Sequence, residues 1–457
     1  MTELHYLSAI ELAGLIAQRT ISSTEITQAY LERIGLLDDT LRAFITVDAD
    51  GALSAARAAD DSNATGLLHG VPVAIKDNIA TAGVRTTGGS RVLSDWVPTA
   101  DAPVVAYLKR AGAVILGKTN LHEFAYGGTC TNVEFGAVRN PWNTAHVPGG
   151  SSGGSGVAVA AGLCAAALGT DTAGSIRLPA AQCGVVGLKP TYGQSSIEGV
   201  LPLAWSLDHV GPLTRTVADA ALMYAAQTGT QAPRALRGGV AGLRLGVPRD
   251  FFLDGLQPDV QAAVEGALEV LRGLGAELVE VVWPDVHLSN SITTSIILAE
   301  ASAYHRAWFR AQPQAYSEET RQNLLRGERL PAADYVQAQR ARSVLQRQVA
   351  EVMSVVDALV TPSLQITAPR IGQTTVELGG KVKDINPVFI RLTDPFNVTG
   401  QPAISVPCGF GDDGLPIGLQ VAGPPSGEEI VLRIAAAYES ATPWHLQRPR
   451  LPEVARR

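Results

Sequence analysis

The chain reads as an α/β protein, and three observations carry that reading. Its 457 residues are 46% hydrophobic and 17% charged, a balance that buries a large core and excludes disordered and fibrous classes. Segments of helical periodicity alternate with short apolar runs through the first half, which is the grammar of a sheet covered by helices. The least polar stretch, 153–168, is built of Ala, Gly and Val and falls short of the roughly 20 strongly apolar residues that a transmembrane helix needs. Length divided by a typical domain size allows about three domains, and because α/β enzymes often exceed about 250 residues in one unit, one or two are expected.

Over 7–37, Leu12, Leu15, Ile16, Ile26, Tyr30, Leu31 and Ile34 recur at helical spacing, with Ser22, Ser23 and Thr24 as N-cap candidates between two groups, so two helices are predicted. A strand follows over 41–47, an alanine-rich helix over 51–60, and an apolar strand over 71–75 that runs into Lys76-Asp77-Asn78. A helix over 103–110 stops at Gly112, and 113–116 reads as a buried strand. Residues 140–156 (NPWNTAHVPGGSSGGSG) form a loop by composition, and such loops tend to carry function. A weak spot at 227–240, where a linker can sit, precedes a strand at 243–247 and helices around 258–274 and 292–310. Then come an Arg/Gln-rich amphipathic stretch over 317–353, a strand at 358–360 and a Pro-rich tail, with no internal repeat.

Charge and cysteine usage narrow the partners. A net charge of −7 is the wrong sign for a protein that tracks a phosphate backbone, so nucleic acid is not expected as a general ligand. Cysteines at 130, 164, 183 and 408 are too few for a disulfide scaffold and lack CxxC spacing, which fits a reducing compartment. The first twenty residues mix charges into helical periodicity, unlike a secretory signal, so a cytoplasmic protein is expected.

Two motif matches fail on context. GAVILGKT (112–119) fits the phosphate-loop pattern, but Ala-Val-Ile-Leu is a strand, not a loop whose N–H groups converge on an anion. GGSSG (149–153) fits the nucleophile elbow, yet NTAHVP before it is no strand, and His209, His287, His305 and His445 have no distinctive context beyond Asp208 beside His209. His122-Glu123 lacks the second histidine of a zinc helix, and no metal or other cofactor is predicted.

The chemistry gathers in 149–181. A helix of about eight residues from Ser155 advances roughly 12 Å, and a strand from Cys164 returns a comparable distance, so Ser151 and Ser175 can meet at one edge of the sheet. Small residues around Ser175 let consecutive N–H groups converge, as an oxyanion hole requires. A serine needs a base, and Lys76 leaves an apolar strand whose burial lowers a lysine's pKa.

Seven ordered segments carry a resemblance across essentially the whole chain: GVPVAIKDNI (70–79), GAVILGKTNLHEFAYG (112–127), FGAVRNPW (135–142), PGGSSGGSG (148–156), GTDTAGSIRLPAAQCGVVGLKPTYG (169–193), SLDHVGPLTRTVADAA (206–221) and GQPAISVP (400–407). Together they resemble the amidase signature family. The resemblance implies one α/β/α domain over 1–457, a large mixed sheet covered by helices on both faces, with N-terminal helices in 1–65, core motifs in 66–225 and the remainder of the sheet with the substrate-pocket helices in 226–457. It makes Ser175 the acylated nucleophile, Ser151 a bridging serine on a cis peptide, and Lys76 the base. It assigns the oxyanion hole to the N–H groups of Thr172, Ala173, Gly174 and Ser175, support to Asp171 and Arg177, and the acyl pocket to Tyr126, Gly127 and Gly128. Ser152 and Ser155 read as loop-shaping residues, and Cys130 and Cys183 as structural thiols.

The implied activity is hydrolysis of a linear amide, or of a carbamate, through an acyl-serine. The shorter run from Asp394 to Pro407 favours a stand-alone enzyme over the glutamine-hydrolysing component of an aminoacyl-tRNA amidotransferase. Asp394 keeps an acidic position that could hold a glutamine amine. A silent scaffold on the same fold is the reading from another class, disfavoured because all three triad positions are intact. Pocket walls are expected from 195–205 and the helices of 290–345, and the implied partners are a small amide or carbamate and a second copy of the chain.

Overall fold

Serine side chains start the first two helices. In the computed structural model, which describes residues 4–62, 66–231, 236 and 238–451, Ser8 and Ser22 accept the N–H of Glu11 and Glu25. Each glutamate returns the bond by accepting the serine's own N–H. Helices Ala9–Ala17 and Ser23–Leu41 follow. Leu41 is the last residue of the second, so the strand expected from 41 begins at Phe44 (β1, Phe44–Val47). Helix Ala49–Asp60 leads to β2 (Pro72–Lys76), and helix Pro103–Arg110 to β3 (Val114–Thr119). β3 is buried throughout and runs on through Gly117-Lys118-Thr119, so the phosphate-loop match is a strand.

Helix Gly153–Ala160 packs before β4 (Ala166–Asp171), and helix Arg177–Cys183 before β5 (Val186–Lys189). β6 (His209–Thr214) and helix Val217–Thr228 close this half. The linker expected over 227–240 lies in part, at 232–235 and 237, outside the described residues. β7 (Arg244–Val247), helix Pro258–Gly273 and β8 (Glu277–Glu280) precede helix Ser289–Ala311. The amphipathic stretch forms two helices, Glu318–Glu328 and Ala332–Met353, parted before Pro331, and β9 (Ala358–Pro362) follows.

The Pro-rich tail is the main correction. It holds a hairpin of β10 (Thr375–Leu378) and β11 (Lys381–Asp384), helices Ile385–Ile390 and Asp394–Thr399, then β12 (Ala403–Phe410), β13 (Pro416–Ala422) and helix Glu428–Ala441. Pro402 precedes β12, Pro416 opens β13, and Pro407 adjoins a register shift, all positions where a strand tolerates a missing N–H.

Among the described residues eleven strands form one mixed sheet in the order β1-β3-β2-β4-β6-β5-β12-β13-β9-β7-β8. β3, β2 and β4 run parallel, as do β9, β7 and β8, while the strands between pair antiparallel. Alternation assigns the two faces. Ile404, Val406 and Cys408 share a core with Val217, Val264 and Leu432 from three helices. On the opposite face a Cβ on Gly418 would lie 2.5 Å from Ala181, so helix Arg177–Cys183 approaches the sheet there as closely as glycine permits. Helices therefore cover both faces, and Lys76 and Asp171, at the ends of β2 and β4, are fully buried.

Candidate active site

Lys76 is the last residue of β2, which lies parallel to β4 with Val73 opposite Ala166 and Ile75 opposite Leu168. That register carries the lysine to the end of β4, where Nζ donates to Thr170 Oγ1 at 2.7 Å and to Ser151 Oγ at 2.7 Å. The side chain is fully buried. Burial disfavours the ammonium and pulls the pKa down to about 7, despite the attraction of Asp171 and Asp208.

Ser151 follows a cis Gly150–Ser151 peptide, and its carbonyl accepts the His122 N–H at 3.2 Å. The next serines anchor the loop to the sheet. Ser152 Oγ donates to Thr170 O at 3.1 Å, and Ser155 Oγ donates to Leu168 O at 2.9 Å and meets Thr119 Oγ1 at 2.7 Å. Gly154 has no room for a side chain, since a Cβ would lie 2.4 Å from the carbonyl oxygens of both Ala43 and Asn120.

Beyond β4 the chain folds back over its own last residue. Asp171 accepts the Gly174 N–H at 2.7 Å and the Ile176 N–H at 3.1 Å, and takes two bonds from Arg177 at 3.0 and 2.9 Å. Arg177 also donates to Gln420 Oε1 at 2.7 Å, Asn397 Oδ1 at 2.6 Å and Thr393 O at 2.9 Å. Burial alone would raise the Asp171 pKa, but the adjacent guanidinium holds it well below the carboxylate range. Asp171 thus claims the Gly174 N–H, one of the four expected to face an oxyanion. The N–H groups of Thr172, Ala173 and Ser175 carry no hydrogen bond among the described residues. Gly174 is at φ +131°, with Thr393 Oγ1 2.2 Å from where a Cβ would sit.

The Ser152 N–H donates to Ser175 O at 3.2 Å and joins the two serine loops. Ser175 lines a cavity of about 900 Å³ and is 8% exposed, whereas Ser151 and Lys76 are at 0% behind it. Tyr126, Gly127 and Gly128 line the same cavity, and the Tyr126 hydroxyl is buried with no hydrogen-bond partner among the described residues. Leu203, Ile297 and Arg326 bring the expected walls onto it. A further wall, Ile371–Thr374 and 384–387, comes from the Pro-rich segment, outside the walls expected from 195–205 and 290–345.

A family model described as Amidase matches residues 25–432. The chain belongs to the amidase signature family. The A subunit of the glutamyl-tRNA(Gln) amidotransferase from Chloroflexus aurantiacus is 42% identical over 497 residues, covering 99% of this chain and 100% of that one. That alignment exceeds the 457 residues here, so the relative carries insertions this chain lacks. A solved structure described as an amidase superposes with a TM-score of 0.90 at 36% identity, over 95% of this chain and 99% of the other. The corresponding amidotransferase chain of Thermotoga maritima superposes with a TM-score of 0.81 at 37% identity, over 97% of this chain and 96% of the other.

This amidase-signature hydrolase keeps several other groups away from the cavity. Asp394 does not line it. Its carboxyl accepts from Ser289 Oγ at 2.8 Å in full burial, which pushes its pKa up to about 8, so the expected hold on a substrate amine is corrected. No histidine among the described residues lines the cavity. His209 sits between the carbonyls of Leu207 and Asp171 and the Nζ of Lys189, with its pKa driven well below the usual value by burial. Cys130 and Cys183 are buried thiols, that of Cys130 pushed up to about 12 by burial. Among the described residues no helix is long and apolar enough to cross a membrane.

Sequence reasoning assigns no role to Thr170, Asn397 or Gln420. Asn397 and Gln420 reach Arg177 across more than two hundred residues of sequence, and no local pattern announces a contact of that range.

Proposed function

We propose that the protein hydrolyses a carboxamide C–N bond through an acyl-Ser175 intermediate, with Ser151 and neutral Lys76 as the proton relay. The observation that carries this reading is the 2.7 Å contact from Lys76 Nζ to Ser151 Oγ in a fully buried setting, where a lysine with a pKa of about 7 can accept a proton. Ser175 Oγ attacks the amide carbon as its proton passes through Ser151 to Lys76. The carbonyl oxygen becomes an oxyanion facing the N–H groups of Thr172, Ala173 and Ser175. The relay then runs backwards, Ser151 protonates the leaving nitrogen as the C–N bond breaks, and water releases the acid from Ser175 by the same steps.

For the substrate, the curated relatives weigh toward the glutamine-hydrolysing component of an amidotransferase rather than the stand-alone enzyme favoured by the sequence, because the identity of 42% extends over the whole of such a chain. The cavity has chemistry for an amino-acid end. Glu319, held by His122 Nε2 at 3.3 Å, and Arg326 lie seven residues apart on one helix, and both line it. They complement an ammonium and a carboxylate. The stand-alone reading keeps one specific support, the higher TM-score with the structure described as an amidase, 0.90 against 0.81.

Ammonia or amine release by the purified protein, over glutamine, short aliphatic amides, anilides and aryl carbamates with Ser175→Ala as control, separates the two. Turnover of anilides or carbamates but not glutamine establishes the stand-alone hydrolase. Glutamine-only turnover, or turnover that requires the other amidotransferase components, establishes the amidotransferase role. No turnover of any substrate under either condition refutes the proposal.

A further inference from the structure

The proposed oxyanion hole uses three free N–H groups on the 172–175 loop, and something must aim the first of them. Asp171 fixes the far half of that loop through Gly174 and Ile176. The near half begins at Thr172. In the antiparallel pairing of β4 with β6, the last matched residues are Asp171 and His209, so one step further along each chain sets Thr172 against Asp208.

Asp208 is 4% exposed, and every hydrogen bond it makes through its carboxyl is one it accepts. Oδ1 takes the Thr172 hydroxyl at 2.5 Å. Oδ2 takes the Leu203 N–H at 3.1 Å, and the Ala204 N–H lies 3.2 Å from both oxygens. Leu203 and Thr172 are both cavity residues. One carboxylate therefore fastens the cavity wall and the start of the oxyanion loop to each other.

We propose that Asp208 is a positioning residue for catalysis: as a carboxylate it docks the Leu203–Ala204 wall and, through the Thr172 hydroxyl, aims the Thr172 N–H at the oxyanion. It touches neither substrate nor Ser175 and acts through Thr172. An arrangement made only of donors needs the ionised form, since a proton on either oxygen would face an N–H or force the Thr172 hydroxyl to turn. Burial brings this carboxyl up to about 7, with Glu300 on helix Ser289–Ala311 raising it further. The other groups facing Asp208 are Lys76 at the end of β2 and Tyr192 after β5. The site then carries two groups that must lose a proton near neutrality, Lys76 and Asp208.

The inference rests on the acyl-serine reading, and its test needs no knowledge of the substrate. A fluorophosphonate reacts at Ser175 through a transition state that places an oxyanion in the same hole. The second-order labelling rate is measured from pH 5.5 to 9 for wild type, Asp208→Asn, Thr172→Val and the double variant, with thermal unfolding as the check on folding. Each single variant is expected to label about 10- to 100-fold more slowly, and the double no more slowly than the worse single. The acid limb, steeper than one ionisation in wild type, should flatten to a single ionisation in Asp208→Asn. Thr172→Val leaves the Leu203–Ala204 contacts in place, so it reports on the coupling even where Asp208→Asn unfolds. Single variants that label within twofold of wild type, or losses that multiply in the double, overturn the role of Asp208 alone. A wild-type Ser175 that does not label overturns the acyl-serine reading, and this inference with it.

Discussion

Replacing Lys76 by methionine should make the protein more stable as it removes the chemistry. The lysine pKa falls from 10.5 to about 7 in the folded protein, and at about 1.4 kcal/mol per unit this means that confining the ammonium costs roughly 4–5 kcal/mol. The sign follows from proton counting. Below pH 7 the lysine is protonated in both folded and unfolded chains, and the whole cost is present. Between about pH 7 and 10.5 only the unfolded chain holds the proton, so wild-type stability rises by about 1.4 kcal/mol per pH unit until the cost is gone. Methionine carries no such cost but removes the bonds to Ser151 and Thr170, at about 1–3 kcal/mol for each group left alone. Thr170 Oγ1 keeps Asn78 Nδ2 at 3.2 Å, which limits that loss. The net expectation is a gain of about 1–3 kcal/mol at pH 6.5 that shrinks by about 1.4 kcal/mol per unit above pH 7. Urea unfolding of both proteins at pH 6.5, 7.5 and 8.5 measures it. Wild-type and variant curves that stay parallel across this range would refute the argument, because they would mean that Lys76 remains an ammonium in the fold.

Other expectations follow from the same geometry. Turnover should fall at least tenfold per unit below pH 7 as Lys76 takes up a proton, and a rate independent of pH between 5.5 and 7 would count against a lysine base. In a cleanly folded Lys76→Ala protein the rate should drop by orders of magnitude, and near-native turnover would sink the relay. Arg177→Met leaves Asp171 buried and unpaired, so unfolding free energy should fall by about 3–5 kcal/mol in chemical denaturation. Chelators should leave the rate unchanged, and inhibition reversed by added metal would contradict the proposed relay.

How far the sequence reaches is clear from particular residues. Lys76, Ser151 and Ser175 stand in short motifs whose local rules survive folding: an apolar strand ends in a lysine, a glycine-rich loop opens a helix, and small residues surround a serine. The first-half elements are legible for the same reason, since capping serines and helical spacing act over a few residues. β12 and β13 are not, because Pro402, Pro407 and Pro416 read as breakers until their positions at strand ends and at a register shift are seen. The bond from the Gly174 N–H to Asp171 is not legible in the sequence, because the carboxylate is three residues away but turned back through a fold the sequence does not display. Asp208 stands in a recognisable motif, yet its partner Thr172 emerges only from the β4–β6 register, while Leu203 and Ala204 come from the local turn before β6.

The place of β12 and β13 has a consequence for how the chain is made. They are inserted between β5 and β9, so the two halves of the sheet share no edge until the last pieces arrive. At about 5–20 residues per second, synthesis from Thr214 at the end of β6 to Ala403 at the start of β12 takes roughly 10–40 s. Throughout that interval a nascent chain carries β5 with one open, apolar side, the condition in which strands pair with the wrong neighbour. The two halves of the sheet can therefore join only once β12 and β13 have been made.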